Sequence, residues 1–286
     1  MKNTRDEIQT AALKALEGLN RAGVGITMGG GKTLIGLKHM NQHYTEDARF
    51  LVCAPKRSIF SEWESQSETH SLAFLLPHMN FTTYLSLSKQ DLDYDVIYLD
   101  ECHSLLDSHD KYLSQFKGKI IGLSGTIPTQ QQSEKGMMVN EYCPIVYTYS
   151  TDEAISDSIL NDYELRIHYL KLDENKNLIV EGNGKSFPTS EKASYEYWST
   201  RIQNATGAQE LQITRIMRMK AMMTFPSKRA VAIKLLNTIT DKTILFANTQ
   251  EQSDSFGIPS YHSKNRSSKD NLEAFKQSIG NSTSIK

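Results

Sequence analysis

Residues 24–33 read VGITMGGGKT and run directly into TLIGLKHMNQHY. No other stretch constrains the fold of this chain as tightly. An apolar run meets three glycines, then Lys32 and Thr33, then a segment in which Leu34, Leu37 and Met40 recur every three residues, the spacing of a helical face. Strand, glycine turn and helix in that order open a βαβ unit, whose crossover is right-handed. The same order suits an anion. The strand delivers the loop, glycines let backbone N–H groups approach closely, and the helix N-terminus favours negative charge. Gly29 and Gly31 leave room for phosphate, and Gly30 between them reads as added backbone freedom. Lys32 would reach the β- and γ-phosphates and Thr33 would ligate Mg²⁺. The strict pattern G-x-x-x-x-G-K-[ST] asks for glycine at position 26, where this chain carries Ile26. A glycine-rich turn beside a solvated lysine is the bland alternative.

Three further apolar runs, 50–54, 96–99 and 120–123, are nearly continuous, as in strands covered on both faces. The segment DYDVIYLDECH places Asp100 and Glu101 just past its strand, the end at which parallel sheets bind ligands. Asp100 is expected to hold Mg²⁺, and Glu101 to orient and deprotonate an attacking water. Residues 1–150 therefore read as a parallel α/β sheet domain. Residues 151–286 begin a second α/β pattern. A hairpin is expected from 165–171 and 178–180 around DENKN, with GNGKSFP as a loop. Helices follow between 191 and 239 with a break near Phe225 and Pro226, then a buried strand within 243–249 and a short helix at LEAFKQS.

The 286 residues carry a net charge of −1, which gives no global attraction to nucleic acid. The charge is uneven: 201–234 holds seven Lys or Arg against Glu210 alone. Such a stripe attracts phosphate locally, which makes Arg215, Arg218 and Lys220 candidate nucleic-acid contacts; a solvated helix face is the alternative. Cys53, Cys102 and Cys143 form no CxxC pair. That argues against a disulfide framework or a structural zinc site and fits a reducing cytoplasm. The N-terminus shows no apolar signal region, and no run has the length of a membrane span.

GGGKT followed by DECH resembles superfamily 2 helicases and translocases of the DExH type, the group of phage branch-migration helicases and Snf2-like motors. The family's first motif is A-x-x-G-x-G-K-T; Gly29, Gly31, Lys32 and Thr33 match it, and Ile26 departs from it. IIGLSGTIP is similar to the motif that couples ATP state to domain movement, which implies a coupling role for Ser124, Thr126 and, from DECH, His103. Arg5 and Gln9 in TRDEIQTAALKAL resemble the adenine-recognition motif. LVCAPKRSIFSEW, with Pro55, Lys56 and Trp63, resembles a segment that touches the nucleic-acid backbone; FTTYLSL, with Thr83 and Tyr84, resembles the next one. TILFANT resembles the first strand of the second domain. The resemblance implies a P-loop NTPase with one RecA-like domain and part of a second, ATP and Mg²⁺ as cofactors, and DNA as the preferred partner with RNA open. No Q-x-x-G-R-x-x-R occurs, and NSTSIK stands where the family's next motif begins. The expectation is therefore a chain that binds ATP and hydrolyses it slowly. A P-loop kinase of a small molecule and a nucleotide-switched binding module are the competing readings.

Overall fold

A computed structural model describes residues 2–182, 185–277 and 282–285, and divides the chain into two compact units, Met1–Glu164 and Leu165–Lys286. The first unit runs α1 (Arg5–Leu16), β1 (Arg21–Ile26), α2 (Lys32–Gln42), β2 (Phe50–Ala54), α3 (Phe60–Thr69), β3 (Met79–Thr83) and β4 (Val96–Asp100). It continues through α4 (Asp110–Leu113), β5 (Lys119–Ser124), α5 (Glu134–Tyr142), β6 (Ile145–Tyr149) and α6 (Thr151–Ser156). Its six strands lie in the order β3-β2-β4-β5-β1-β6, every neighbouring pair parallel. The α/β expectation holds.

Side chains alternate across a strand, and the four central strands have a core on each side. Phe50 and Val52 of β2 join Ile35, Trp63 and Tyr98 in one core, whereas Leu51 and Cys53 join Leu99, Leu113 and Tyr142 in the other. The edge strands β3 and β6 are only half covered, with exposed residues interleaved along them. A search for continuous apolar runs passes over such strands. Helix α1 starts at a capping box: the Thr4 side chain accepts from the Glu7 N–H, and Glu7 accepts from the Thr4 N–H at 2.7 Å. Its buried Ile8, Ala12 and Leu16 are spaced by four and pack in the core.

Three segments take shapes that their local pattern does not give. HSLLDSHDKYLSQF forms only the short α4 with 3₁₀ turns before it, because the Leu106 N–H donates to His109 Nδ1 at 3.0 Å instead of continuing a helix. The polar stretch 130–135 ends as a loop at Ser133, whose hydroxyl caps α5 through the Gly136 N–H at 3.1 Å. Residues 151–160 were read with the second domain, yet Ala154 is fully buried in the first unit's core, with Ile159 and Leu160 packed on it.

The second unit contains an antiparallel pair, β7 (Leu178–Gly182) and β8 (Lys185–Thr189). The hairpin thus falls later than expected. Residues 165–171 adopt neither strand nor helix, and most of GNGKSFP is strand rather than loop, with 183–184 outside the described residues. Buried Glu191 explains part of this: it accepts from the Asp173 N–H at 3.1 Å, and from the Ser227 N–H and hydroxyl at 2.8 Å each, pinning the DENKN segment to a helix start. Helices α7 (Glu191–Gln203), α8 (Ala208–Met223) and α9 (Pro226–Thr238) follow. The break at Phe225 and Pro226 is where the sequence placed it, with Pro226 in the first helical turn. Then come β9 (Thr243–Phe246), α10 (Gln250–Asp254), β10 (Ser260–Tyr261), α11 (Ser268–Gln277) and β11 (Ser282–Ile285), with strand order β10-β11-β9, all parallel. Strand β9 is not buried on both faces as expected, since Ile244 and Phe246 are exposed. Residues 282–285 of the NSTSIK tail form the central strand of this sheet; 281 and 286 lie outside the described residues.

Candidate nucleotide site

The site is built at the C-terminal ends of β1, β4 and β5. Strand β1 ends at Ile26, and the loop turns on Gly29 and Gly31, whose φ angles of 81° and 87° lie in the left-handed region that glycine tolerates. Gly31 is the N-cap residue of α2 and supplies no side-chain cap, so the first N–H groups of α2 are open to an anion. Gly30 does something other than add freedom. A Cβ on it would collide with Cγ2 of Ile26, so Gly30 is the space into which the unexpected isoleucine packs.

Strand β4 delivers Asp100 and Glu101. Glu101 sits at φ 53°, a left-handed conformation that costs a non-glycine residue about 1–3 kcal/mol and is found where a function holds it. The turn brings Glu101 Oε1 to 3.3 Å from Lys32 Nζ. Strand β5 ends at Ser124, and the Gly125 N–H donates to Glu101 Oε2 at 3.4 Å. A Cβ on Gly125 would stand 2.8 Å from Lys32 Nζ, so a side chain there would push the ammonium aside.

The polar network around Ser124 fixes a tautomer. The Ser124 hydroxyl donates to the Thr126 carbonyl at 2.6 Å and accepts from the Thr126 N–H at 3.1 Å. With that proton directed to the Thr126 carbonyl, the shorter contact, rather than to Glu101 Oε2 at 3.4 Å, the hydroxyl accepts from His103 Nδ1 at 2.8 Å, the assignment that puts a proton on that nitrogen. The same Nδ1 lies 3.3 Å from Glu101 Oε2. His103, Ser124 and Thr126 therefore meet Glu101 in one cluster, as the sequence grouped them.

Asp100 is 5% exposed. Burial raises its pKa, while a hydrogen bond from the Trp63 indole to Oδ2 at 2.9 Å opposes that rise. The Tyr84 hydroxyl donates to the Asp100 carbonyl at 3.0 Å. Both aromatics correct the sequence reading. Tyr84 and Trp63 stand in segments expected to touch nucleic acid, yet they are buried and turned toward the carboxylate strand. Their bonds to Asp100 left no signal in the sequence beyond their being aromatic.

A cleft of about 840 Å³ gathers Arg5, Gln9, Gly29, Gly31, Lys32 and Thr33 with Asp100 and Glu101. The far side is α3, through Glu62, Gln66 and His70, none of which the sequence singled out. Gln9 is buried beneath the loop: its carbonyl accepts from Lys38 Nζ at 2.7 Å, and a Cβ on Gly31 would stand 2.5 Å from its Nε2. The donor set suits a nucleotide and a small hard cation: glycines at close approach, an uncapped helix start, a lysine, a hydroxyl and a carboxylate.

The remaining candidates do not line this cleft. Lys56 is exposed just beyond β2, and Thr83 is half-buried at the end of neighbouring β3. In the second unit Arg215 and Lys220 are exposed on α8. Arg218 is not a free cation: it lies over the Tyr195 ring at 5.4 Å and donates to Ser199 at 3.3 Å. Among the described residues no helix is long and apolar enough to cross a membrane.

No family model and no curated protein matches this sequence. Three helicase or ATPase structures are among the solved structures to which the chain is similar. One is the Pyrococcus furiosus Hef helicase domain, at 13% identity and TM-score 0.48, covering 100% of this chain and 87% of that one. Another is the Sulfolobus solfataricus SWI2/SNF2 ATPase core in complex with dsDNA, at 12% identity and TM-score 0.45, covering 99% and 77%. The third is the UvsW helicase of bacteriophage T4, at 15% identity and TM-score 0.40, covering 49% and 58%.

Proposed function

We propose that the first unit binds ATP with Mg²⁺ in this cleft and hydrolyses it, and that the chain belongs to a nucleic-acid helicase or translocase. One observation carries the reading: Lys32 at an uncapped helix start, Asp100 at the end of β4 with Glu101 just past it, and Ser124 at the end of β5 converge on one site. ATP bound there supplies the phosphoryl group to be transferred to water, with Mg²⁺ neutralising charge.

The chain's own residues divide the work. The N–H groups at the start of α2 and the Lys32 ammonium hold negative charge. The Thr33 hydroxyl and the Asp100 carboxylate are the hard oxygen donors for Mg²⁺. Glu101 accepts the proton of an attacking water. In the present geometry Lys32 and Glu101 neutralise each other, so phosphate must draw Lys32 away before Glu101 is released to act as a base. His103 reports that release to Ser124 and Thr126 through its shared Nδ1 proton. Arg5 and Gln9 border the cleft and are the base-side residues of the proposal.

DNA is the first partner to test and RNA the second, with exposed Lys56 and Thr83 as the contacts on this unit. The experiment is ATP hydrolysis measured in parallel with single-stranded, duplex and branched DNA and with RNA, on this chain and on Glu101→Gln. The expected result is stimulation by one nucleic acid, lost in Glu101→Gln while ATP binding persists. Hydrolysis that no nucleic acid alters would remove the motor reading. A Glu101→Gln protein that behaves like the parent would leave a nucleotide switch. Slow turnover by this chain alone is read from the same assay.

A further inference from the structure

Trp63 occupies a place that packing alone does not require. Its indole is fully buried in the core beneath the sheet, with the Tyr98 ring 6.0 Å away. It also presses on α2, where a Cβ at Gly36 would stand 2.5 Å from Trp63 Cη2 and 3.1 Å from Cζ3. Gly36 lies in the helix that Lys32 and Thr33 begin. The indole N–H leaves this apolar setting to meet Asp100 Oδ2 at 2.9 Å. One side chain therefore spans the phosphate-loop helix and the carboxylate strand. A carboxylate has two oxygens. The indole holds Oδ2 and the Glu101 backbone N–H also bonds the carboxylate, so the orientation that Asp100 presents to the cleft is set in part by a fully buried ring.

We infer that Trp63 is the positioning residue for Mg²⁺: its N–H orients Asp100 so that the carboxylate and the Thr33 hydroxyl present their oxygens together. This inference rests on the nucleotide reading of the cleft. It assigns Trp63 a role inside the first unit rather than on nucleic acid. A carboxylate freed of the indole still binds Mg²⁺, but must be ordered each time it does so. Partners that orient a metal's ligands are typically worth about 10–100-fold in metal affinity or activity.

The test separates the N–H from the ring. Binding of a fluorescent ATP analogue is titrated at rising Mg²⁺ for three proteins: the parent, Trp63→Phe, and a chain with 3-benzothienylalanine at position 63, which keeps the indole's shape and replaces N–H by sulfur. The expected outcome is a rise of about tenfold in the Mg²⁺ concentration needed for half the effect in both variants. Affinity measured without Mg²⁺ is unchanged for the isostere, while its thermal midpoint falls because the buried Asp100 carboxylate loses a hydrogen bond. Placed in an Asp100→Asn background, the isostere adds no further shift, because Trp63 acts only through that carboxylate. An isostere with the parent's Mg²⁺ response overturns the role of Trp63 while leaving the nucleotide site standing. A parent whose analogue binding ignores Mg²⁺ overturns the nucleotide–Mg²⁺ reading itself. Should Trp63→Phe fail to fold, the isostere decides alone.

Discussion

Replacing Gly30 by alanine tests why this phosphate loop has three glycines. Gly30 does not adopt a positive φ, so alanine is not excluded by its backbone conformation. At such a position a Gly→Ala change ordinarily stabilises by about 0.4–1 kcal/mol through the unfolded chain. Here the new methyl would collide with Cγ2 of Ile26 and lie 3.2 Å from the Thr27 carbonyl oxygen. Ile26 is fully buried at the end of β1, with a strand on either side. It has nowhere to go, and overpacking of this kind costs about 1–3 kcal/mol. The two terms leave Gly30→Ala destabilised by about 1–2 kcal/mol. In an Ile26→Ala background the collision with the side chain is gone and only the 3.2 Å approach to the Thr27 carbonyl remains, so Gly30→Ala should cost little there, even though Ile26→Ala alone costs about 2–5 kcal/mol. The pair should therefore show a coupling of at least about 1 kcal/mol.

Urea unfolding of the four proteins measures that coupling. Because the chain has two units, the signal must belong to the first. The two tryptophans are Trp63 and Trp198, so a Trp198→Phe background leaves Trp63 as the sole indole reporter. Gly30→Ala with the same cost in both backgrounds, or none with Ile26 present, would refute the packing argument and return Gly30 to being a flexible spare.

Two other outcomes follow from the structure. Burial pushes the His39 pKa down to about 3, helped by His43, whose ring stacks at 4.3 Å, and by Lys119. Below the unfolded value of about 6.5 only the unfolded chain takes the proton, so stability present above that pH is lost as pH falls, by about 2 kcal/mol at pH 5. His39→Gln should flatten that slope in urea titrations run between pH 5 and 7. On α8, replacing Arg215 and Lys220 should lower the log–log salt slope of nucleic-acid binding by about 2 if both meet phosphates, whereas Arg218→Ala should lower the second unit's thermal midpoint, because Arg218 is held by Tyr195 and Ser199.

The sequence was informative where chemistry and local structure share one short stretch. A strand, a glycine turn and a helix start must be contiguous to bind phosphate, so Gly29, Gly31, Lys32 and Thr33 were legible together. Asp100 and Glu101 were legible because a parallel strand presents its C-terminal end to the ligand side. The family resemblance placed Tyr84, and the segment that holds Trp63, beside nucleic acid. Yet 3₁₀ and helical turns rotate these two side chains inward, and only the pairing of β2 with β4 brings Trp63 to Asp100. That contact spans 37 positions and has no local pattern. In the second unit a related contact had no local pattern: Glu191 accepts from Asp173 and Ser227, 18 and 36 positions away, and ties the segment before the hairpin to the start of α7.

The loop itself shows how a departure from a motif can be read. Ile26 in place of a small residue looked like evidence against a nucleotide site when the pattern was taken position by position. In the folded chain its methyl group fills the volume that Gly30 leaves empty, and the two glycines that must take positive φ, Gly29 and Gly31, are untouched. The large residue and the additional glycine are one compensated change. A chain that kept Ile26 but lost Gly30 would disturb the loop that presents Lys32, so the pair constrains the site although neither residue touches phosphate in the proposed mechanism. The departure at position 26 therefore weakens the match to a pattern without weakening the site.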